Sequence, residues 1–320
     1  MPYDRPPLSK SAITAMSPPE PAWLLDSGMA ASLKAEVRLG TPAISIDRNA
    51  RQVVLSDASV LSYDKLLLAT GASPRRLPVP GGEHAHVLRR FDEALALREG
   101  FSSGRRVVII GGGFIGLELA ASARARGCEV TVIETRPRIL MRGVPEEIAQ
   151  LIHHRHLAAG VEILTDCSMT RLDADGVWLG DGRLVQANLV IAGIGAYPET
   201  ALAEAAGLAI ENGIAVDDQL CSSDPNIFAA GDCCSFPHAL YGGHRLRLEA
   251  WRNAQDQGML AAENMLGAGK VYRLMAASGI GTGNAIARDV KLAEMLIARS
   301  ARPDSAALAD ATVPLKSLLR

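Results

Sequence analysis

The stretch RRVVIIGGGFIGLELAASARARG at 105–127 constrains this chain more than any other part of it. A β-branched run gives way to helical periodicity across a cluster of glycines, the pattern of a strand, a tight turn and a helix. Gly111, Gly113 and Gly116 hold GxGxxG spacing directly after the strand. In such a turn the first glycine permits the tight bend, the second lets a pyrophosphate approach the backbone, and the third allows close helix–strand contact. The β-rich run CEVTVIETRPRIL follows, so a βαβ unit is expected over roughly 105–135. Glu134 ends the second strand about 20 residues beyond the glycines, where an acid binds a ribose diol. A carboxylate there accepts hydrogen bonds from both ribose hydroxyls and repels a 2′-phosphate, which predicts a site for NAD rather than NADP. Arg136 and Arg138 stand close enough to soften that preference, although both also read as solvated surface charges.

Three further apolar runs end in glycine: YDKLLLATGASPR at 63–75, ANLVIAGIGAYPET at 187–200 and NIFAAGDCC at 226–234. Strands that alternate with helices imply a parallel, doubly wound α/β sheet. Short alternating segments with DG turns between about 160 and 195 predict a β-meander, and LRRFDEALAL, Leu88 to Leu97, predicts a helix leading into the βαβ unit. The amino-terminal MPYDRPPLSKSAITAM lacks the apolar core of a signal peptide, and no run approaches the ~20 apolar residues of a membrane span. A cytoplasmic protein is expected. A net charge of −2 over 320 residues gives no global field that gathers nucleic acid or anionic lipid. Cys128, Cys167, Cys221, Cys233 and Cys234 are odd in number and include no CxxC pair and no zinc-ligand spacing. Neither a disulfide framework nor a metal site is expected, and the adjacent Cys233 and Cys234 read as passive thiols.

Six segments carry a resemblance: PYDRPPLSK at 2–10, LLLATGASPR at 66–75, GGGFIGLELA at 111–120, IAGIGAYPET at 191–200, AAGD at 229–232 and LEAWRNAQDQG at 248–258. In this order they resemble the pyridine-nucleotide flavoprotein reductases, and within them the ferredoxin reductase components of bacterial aromatic-ring dioxygenases and cytochrome monooxygenases. The resemblance runs from about residue 2 to 269 and resumes in GIGTGNAIARDVKLAEMLI. It implies two doubly wound dinucleotide-binding domains: an incomplete, discontinuous FAD domain at 1–80 and 200–269, and an NAD domain at 81–199. Residues 270–320 would be the remnant of an α+β interface domain.

The same resemblance implies FAD and NAD as cofactors and assigns residues to them. Lys10, Arg5 and Pro6 would lie beside the flavin ring. Ala43 would offer backbone contact to the adenine, while Thr70, Gly71 and Arg106 would lie along the FAD. Asp232 would bind its ribityl or pyrophosphate region, and Trp251 would close over the flavin. Glu118, placed in the first turn of the helix after the glycines, and Gly195 would also face cofactor. The implied activity carries electrons from NADH through FAD to an iron–sulfur ferredoxin, without a protein nucleophile. Disulfide reductases of the superfamily place a CxxxxC or CxxC near the flavin, and this chain has neither. Other readings are an NADH-dependent reductase of the rubredoxin reductase or NADH oxidase type, and a chain that binds NAD at most. The family begins with its own strand–GxGxxG–helix for the ADP half of FAD, and this sequence starts after it. The interface domain is curtailed near Lys270, which leaves LAEMLIARS as an amphipathic helix without its docking face. Weak FAD retention and poor solubility are therefore expected.

Overall fold

The computed structural model describes residues 1–141, 143–238 and 242–272. The helix expected at LAEMLIARS, and nearly all of the expected interface remnant, lie outside the described residues. The chain forms two compact units. The first holds Met1–Arg76, Val87–Leu95 and the described chain from Ile194 onward; the second holds Leu77–His86 and Ala96–Gly193. The divisions thus fall at 76 and 193 rather than at the expected 80 and 199, and 87–95 returns to the first unit. Two contacts hold that segment there: Arg89 is ion-paired to Asp232, and the Phe91 N–H donates to the Tyr3 hydroxyl oxygen.

In the first unit, after two short helices α1 (Ser11–Thr14) and α2 (Ser27–Ser32), the strands β1 (Ala43–Asp47), β2 (Gln52–Leu55) and β3 (Val60–Ser62) form an antiparallel meander. Strands β4 (Leu66–Leu68) and β5 (Ala72–Pro74) follow, flanking the ATG turn. Helix α3 (Phe91–Gly100), whose residues are divided between the units after Leu95, starts three residues later than the sequence pattern predicts. The reason is a cap: the Glu93 carboxylate accepts the N–H groups of Arg89 at 2.7 Å and Arg90 at 2.9 Å, satisfying donors that a longer helix would use.

The second unit is built on the expected βαβ pattern. Strand β6 (Arg106–Ile110) runs through the glycine turn into α4 (Phe114–Ala125) and back to β7 (Glu129–Ile133). Helix α5 (Glu146–Ala158) then leads to β8 (Val161–Leu164). A meander of β9 (Met169–Asp173), β10 (Gly176–Leu179) and β11 (Leu184–Gln186) precedes β12 (Leu189–Ala192). The parallel sheet has the order β12-β6-β7-β8, with the chain reversing direction across β6. Strands β6 and β12 are apolar and buried over Val107–Ile110 and Leu189–Ala192 because both faces are covered, while Arg106, Glu129 and Glu162 are exposed. Val107, Val108, Ile109 and Ile110 are all buried, as are Leu117, Leu119, Ala120 and Ala123 of α4.

The remaining elements complete the first unit. Strand β13 (Ala196–Pro198) pairs antiparallel with β5, and after α6 (Ala201–Ala205) and β14 (Ile214–Ala215), β15 (Ile227–Ala229) pairs parallel with β4. A single helical turn at Gly231–Cys233 leads to β16 (Cys234–Pro237); β17 (Arg245–Leu246) pairs with it, and α7 (Trp251–Met265) follows. Leu68, Leu220, Ile227, Ala229, Phe236 and Ala261 form the heart of this core. The architecture is the expected α/β class with parallel, doubly wound sheets.

Candidate functional site

The glycine turn of the second unit is set by sterics at each position. Gly111 adopts φ +107°, in the region that favours glycine, and its N–H donates to the Ile133 carbonyl at 2.8 Å. A Cβ on Gly116 would stand 2.1 Å from the Gly111 carbonyl oxygen, so only glycine lets α4 approach the turn. Gly113 precedes α4, and nothing lies within 4 Å of where its Cβ would be. The first amides of α4 have no helical acceptor of their own and start beside the open space at Gly113, an arrangement that suits an anion.

Glu134 stands at the lip of this turn. One carboxylate oxygen accepts the Gly112 N–H at 2.8 Å and the other accepts the Arg136 N–H at 2.9 Å. The Thr135 hydroxyl also donates to the second oxygen, at a longer 3.4 Å, so the oxygen bound to Gly112 keeps a lone pair for a ribose hydroxyl and the weakly held Thr135 contact can yield to another. Arg138 turns its guanidinium onto the carbonyls of Ile139 and Val144 at 3.2 and 3.3 Å, away from a phosphate-binding role. Arg136 is exposed. Glu118 is half-buried in the second turn of α4 rather than the first, because the helix begins only at Phe114.

In the first unit, Arg89 Nη2 lies 2.9 Å from Asp232 Oδ2, with both side chains largely buried. The Arg5 guanidinium joins them. Desolvation and the charge on Arg89 pull it below the ordinary arginine range, against the opposing pull of Asp232, yet an arginine keeps its proton. Gly71, with φ +74°, makes room for both: a Cβ there would meet Arg89 Nη2 at 3.3 Å and Arg5 Nη1 at 3.8 Å. Arg89 Nε is buried with no acceptor among the described residues. Two guanidinia against one carboxylate leave a net positive charge and a buried donor, which fits an anionic, acceptor-rich group such as a flavin nucleotide.

The other expected residues have these places. Thr70 Oγ1 donates to the Glu199 carbonyl at 2.6 Å, and the Gly71 carbonyl accepts the Glu199 N–H at 2.9 Å, which laces the ATG turn to β13. Gly195, with φ +100°, accepts the Arg75 N–H at 2.9 Å. Lys10 Nζ donates to the carbonyl of the exposed Pro6 at 3.2 Å. Trp251 opens α7 with 45% of its surface exposed, and its indole Nε1 donates to Asp4 Oδ1 at 2.7 Å. Ala43 opens β1, exposed and in register with Leu55. Arg106 departs from expectation: it starts β6 in the second unit, at the opposite end of the strand from the glycine turn, exposed and hydrogen-bonded to Gln186. Arg89 joins Arg5 and Asp232 instead, and sequence reasoning missed it because nothing local marks one arginine of LRRF over the next.

All five cysteines are free, and Cys128, Cys233 and Cys234 are buried. Among the described residues no group of His, Cys, Asp or Glu could hold a metal ion, and no helix is long and apolar enough to cross a membrane.

A glycine turn with a carboxylate at its lip in one unit, and the exposed Arg5 beside the largely buried Arg89–Asp232 pair in the other, are the features of a nicotinamide- and flavin-dependent oxidoreductase. The chain belongs to the pyridine nucleotide-disulphide oxidoreductase family, whose signature matches residues 1–258. It is 36% identical over 372 residues to the anthranilate 1,2-dioxygenase system ferredoxin–NAD(+) reductase component of Burkholderia cepacia, covering 100% of this chain and 90% of the relative. It is 37% identical to putidaredoxin reductase of Pseudomonas putida, over 83% of this chain and 66% of that one. Among solved structures, a ferredoxin reductase from Rhodopseudomonas palustris superposes with TM-score 0.81 at 38% identity, over 85% of this chain and 69% of that chain. The covalent putidaredoxin reductase–putidaredoxin complex gives TM-score 0.79 at 37% identity, covering 85% and 68%. The ferredoxin reductases of this family use FAD and NAD(H).

Proposed function

We propose that this chain is an NADH-dependent flavoprotein reductase that delivers electrons singly to an iron–sulfur ferredoxin of a multicomponent oxygenase, with FAD as its resident cofactor. The observation that carries the reading is the Glu134 carboxylate, fixed by two backbone N–H groups beside an open glycine turn. The printed names of relatives that reduce ferredoxin and putidaredoxin support the choice of acceptor.

When bound, FAD supplies the conversion from a two-electron donor to a one-electron acceptor. The chain's own residues bind and orient. The turn at Gly111–Gly116 and the amino terminus of α4 hold the NADH pyrophosphate, and Glu134 holds the adenosine ribose while repelling a 2′-phosphate. Arg5 and Arg89, balanced by Asp232, hold the flavin nucleotide from the first unit, with Lys10, Pro6, Ala43, Thr70, Gly71, Gly195 and Trp251 lining its site. Glu118 borders the nicotinamide side. One NADH reduces two ferredoxins and releases NAD+ and one proton. This reading uses no redox dithiol: the sequence carries neither a CxxC nor a CxxxxC, and burial raises the Cys234 thiol out of the thiolate range. The protein acts in the cytoplasm, where NADH is supplied.

Steady-state NADH oxidation with ferricyanide, with a [2Fe–2S] ferredoxin and with a disulfide substrate tests this reading. One-electron acceptors are expected to turn over efficiently and the disulfide hardly at all. Efficient disulfide reduction would overturn the assignment.

A further inference from the structure

Gln257 lies on α7 with its side chain completely buried. Its Oε1 accepts the Gly231 N–H at 2.8 Å and the Cys234 thiol at 3.2 Å. Because a backbone N–H must meet an acceptor, this contact fixes which end of the amide is oxygen. Its Nε2 is then left buried with no hydrogen-bond acceptor among the described residues. Leaving an amide donor unsatisfied in the core destabilises the fold, and an apolar side chain of the same volume would remove that cost. Something other than packing keeps the amide in place.

The turn it holds gives the reason. Gly231 has φ +83°, a conformation that does not arise from ordinary strand or helix pairing. It directly precedes Asp232, the carboxylate that faces Arg89. Helix α7 also forms the wall behind the turn, since a Cβ on Gly231 would stand 3.4 Å from Ala254 Cβ. Wall and hydrogen bond therefore come from one helix.

We propose that Gln257 is a positioning residue for the flavin nucleotide: by holding the Gly231 N–H it sets the left-handed turn that aims Asp232 at Arg89. The proposal rests on the reading of the Arg5–Arg89–Asp232 cluster as the FAD site. Gln257→Met keeps the volume and loses the acceptor for Gly231. Gln257→Glu, uncharged when buried, keeps an acceptor oxygen in the same place.

The test is FAD titration of the full-length apoprotein by flavin fluorescence quenching, with the bound-flavin absorption band and NADH affinity recorded in parallel. Gln257→Met is expected to weaken FAD at least ten-fold and shift the band while leaving NADH affinity unchanged, and Gln257→Glu is expected to restore most of the loss. If Gln257→Met does not fold, Gln257→Asn, one methylene shorter, takes its place in the comparison. FAD affinity within two-fold of the parent in the acceptor-deficient variant would overturn the proposal, as would equal losses of FAD and NADH binding. Asp232→Asn separates the two levels of the argument. If that variant weakens FAD and Gln257→Met does not, only the positioning role fails; if Asp232→Asn leaves FAD binding intact, the site reading fails and takes the proposal with it.

Discussion

The two units draw their positive potential from different sources. In the second, the donors are backbone amides at the start of α4, and the charged side chain held against the turn, Glu134, is itself negative. Everything needed lies between Gly111 and Glu134 in one continuous βαβ unit. In the first unit the positive charge sits on the guanidinia of Arg5 and Arg89, and the Arg89–Asp232 contact spans 143 residues of sequence. A site of backbone dipoles cannot be emptied by truncating a side chain, only by adding atoms where none fit. A site of side-chain charges fails on truncation, because each partner leaves the other buried and uncompensated.

That contrast can be broken by experiment, beginning with the charged cluster. Arg89→Ala removes the hydrogen-bonded partner of a largely buried Asp232 and leaves only the Arg5 charge beside it, so the expected loss of folding stability is about 2 kcal/mol, below that of a fully buried pair left uncompensated. Urea unfolding measures it, and Arg89→Ala combined with Asp232→Ala should recover part of the loss; a double variant no more stable than the single would show that the pair is not coupled. In the glycine turn the opposite operation applies. Gly116→Ala places a methyl 2.1 Å from a backbone oxygen, so a cost of about 2–3 kcal/mol is expected from overpacking. Gly113→Ala meets nothing within 4 Å and should fold with unchanged thermal midpoint while losing NADH affinity. A pair of variants that behave alike would remove the distinction between fold glycine and ligand glycine.

A finer test addresses specificity. Glu134→Ala should cost NADH roughly 1.5–2 kcal/mol of binding, as expected for hydrogen bonds to a charged group, and should bring NADH and NADPH affinities together. Equal affinities in the parent protein would already refute the role given to Glu134. The smallest effect expected is on the thiols. Burial pushes the Cys234 thiol far above the ordinary range, and burial followed by the nearby Asp217 charge raises Cys221 as well. Since only the thiolate reacts, maleimide labelling of the native protein between pH 7 and about 9 should leave Cys234 untouched, with half-buried Cys167 labelled first; mass spectrometry reads the order.

What could be read without coordinates follows the same division. The glycine turn, Glu134 and the β9–β11 meander were legible because each is specified by neighbours a few residues away: φ demands at Gly111, apolar alternation, DG turns. The start of α3 was not, since Glu93 caps it by reaching back to Arg89 and Arg90, an arrangement that helical periodicity does not reveal. Arg89 itself was hidden because its contact comes from Asp232, and Arg106, next to the glycine motif in sequence, stands at the far end of β6 from the turn, which sequence proximity does not reveal. The tie between Trp251 and Asp4 spans 247 residues and leaves no local trace.

The Glu93 cap has a consequence for measurement. One carboxylate clasps two consecutive amides, and the first of them belongs to the residue whose side chain reaches Asp232. Fraying at the end of α3 and release of Arg89 are thus one event seen from two sides. Deuterium uptake at the amides of Arg89 and Arg90 becomes a gauge of whether the arginine is docked, legible in the colourless apoprotein and independent of any turnover.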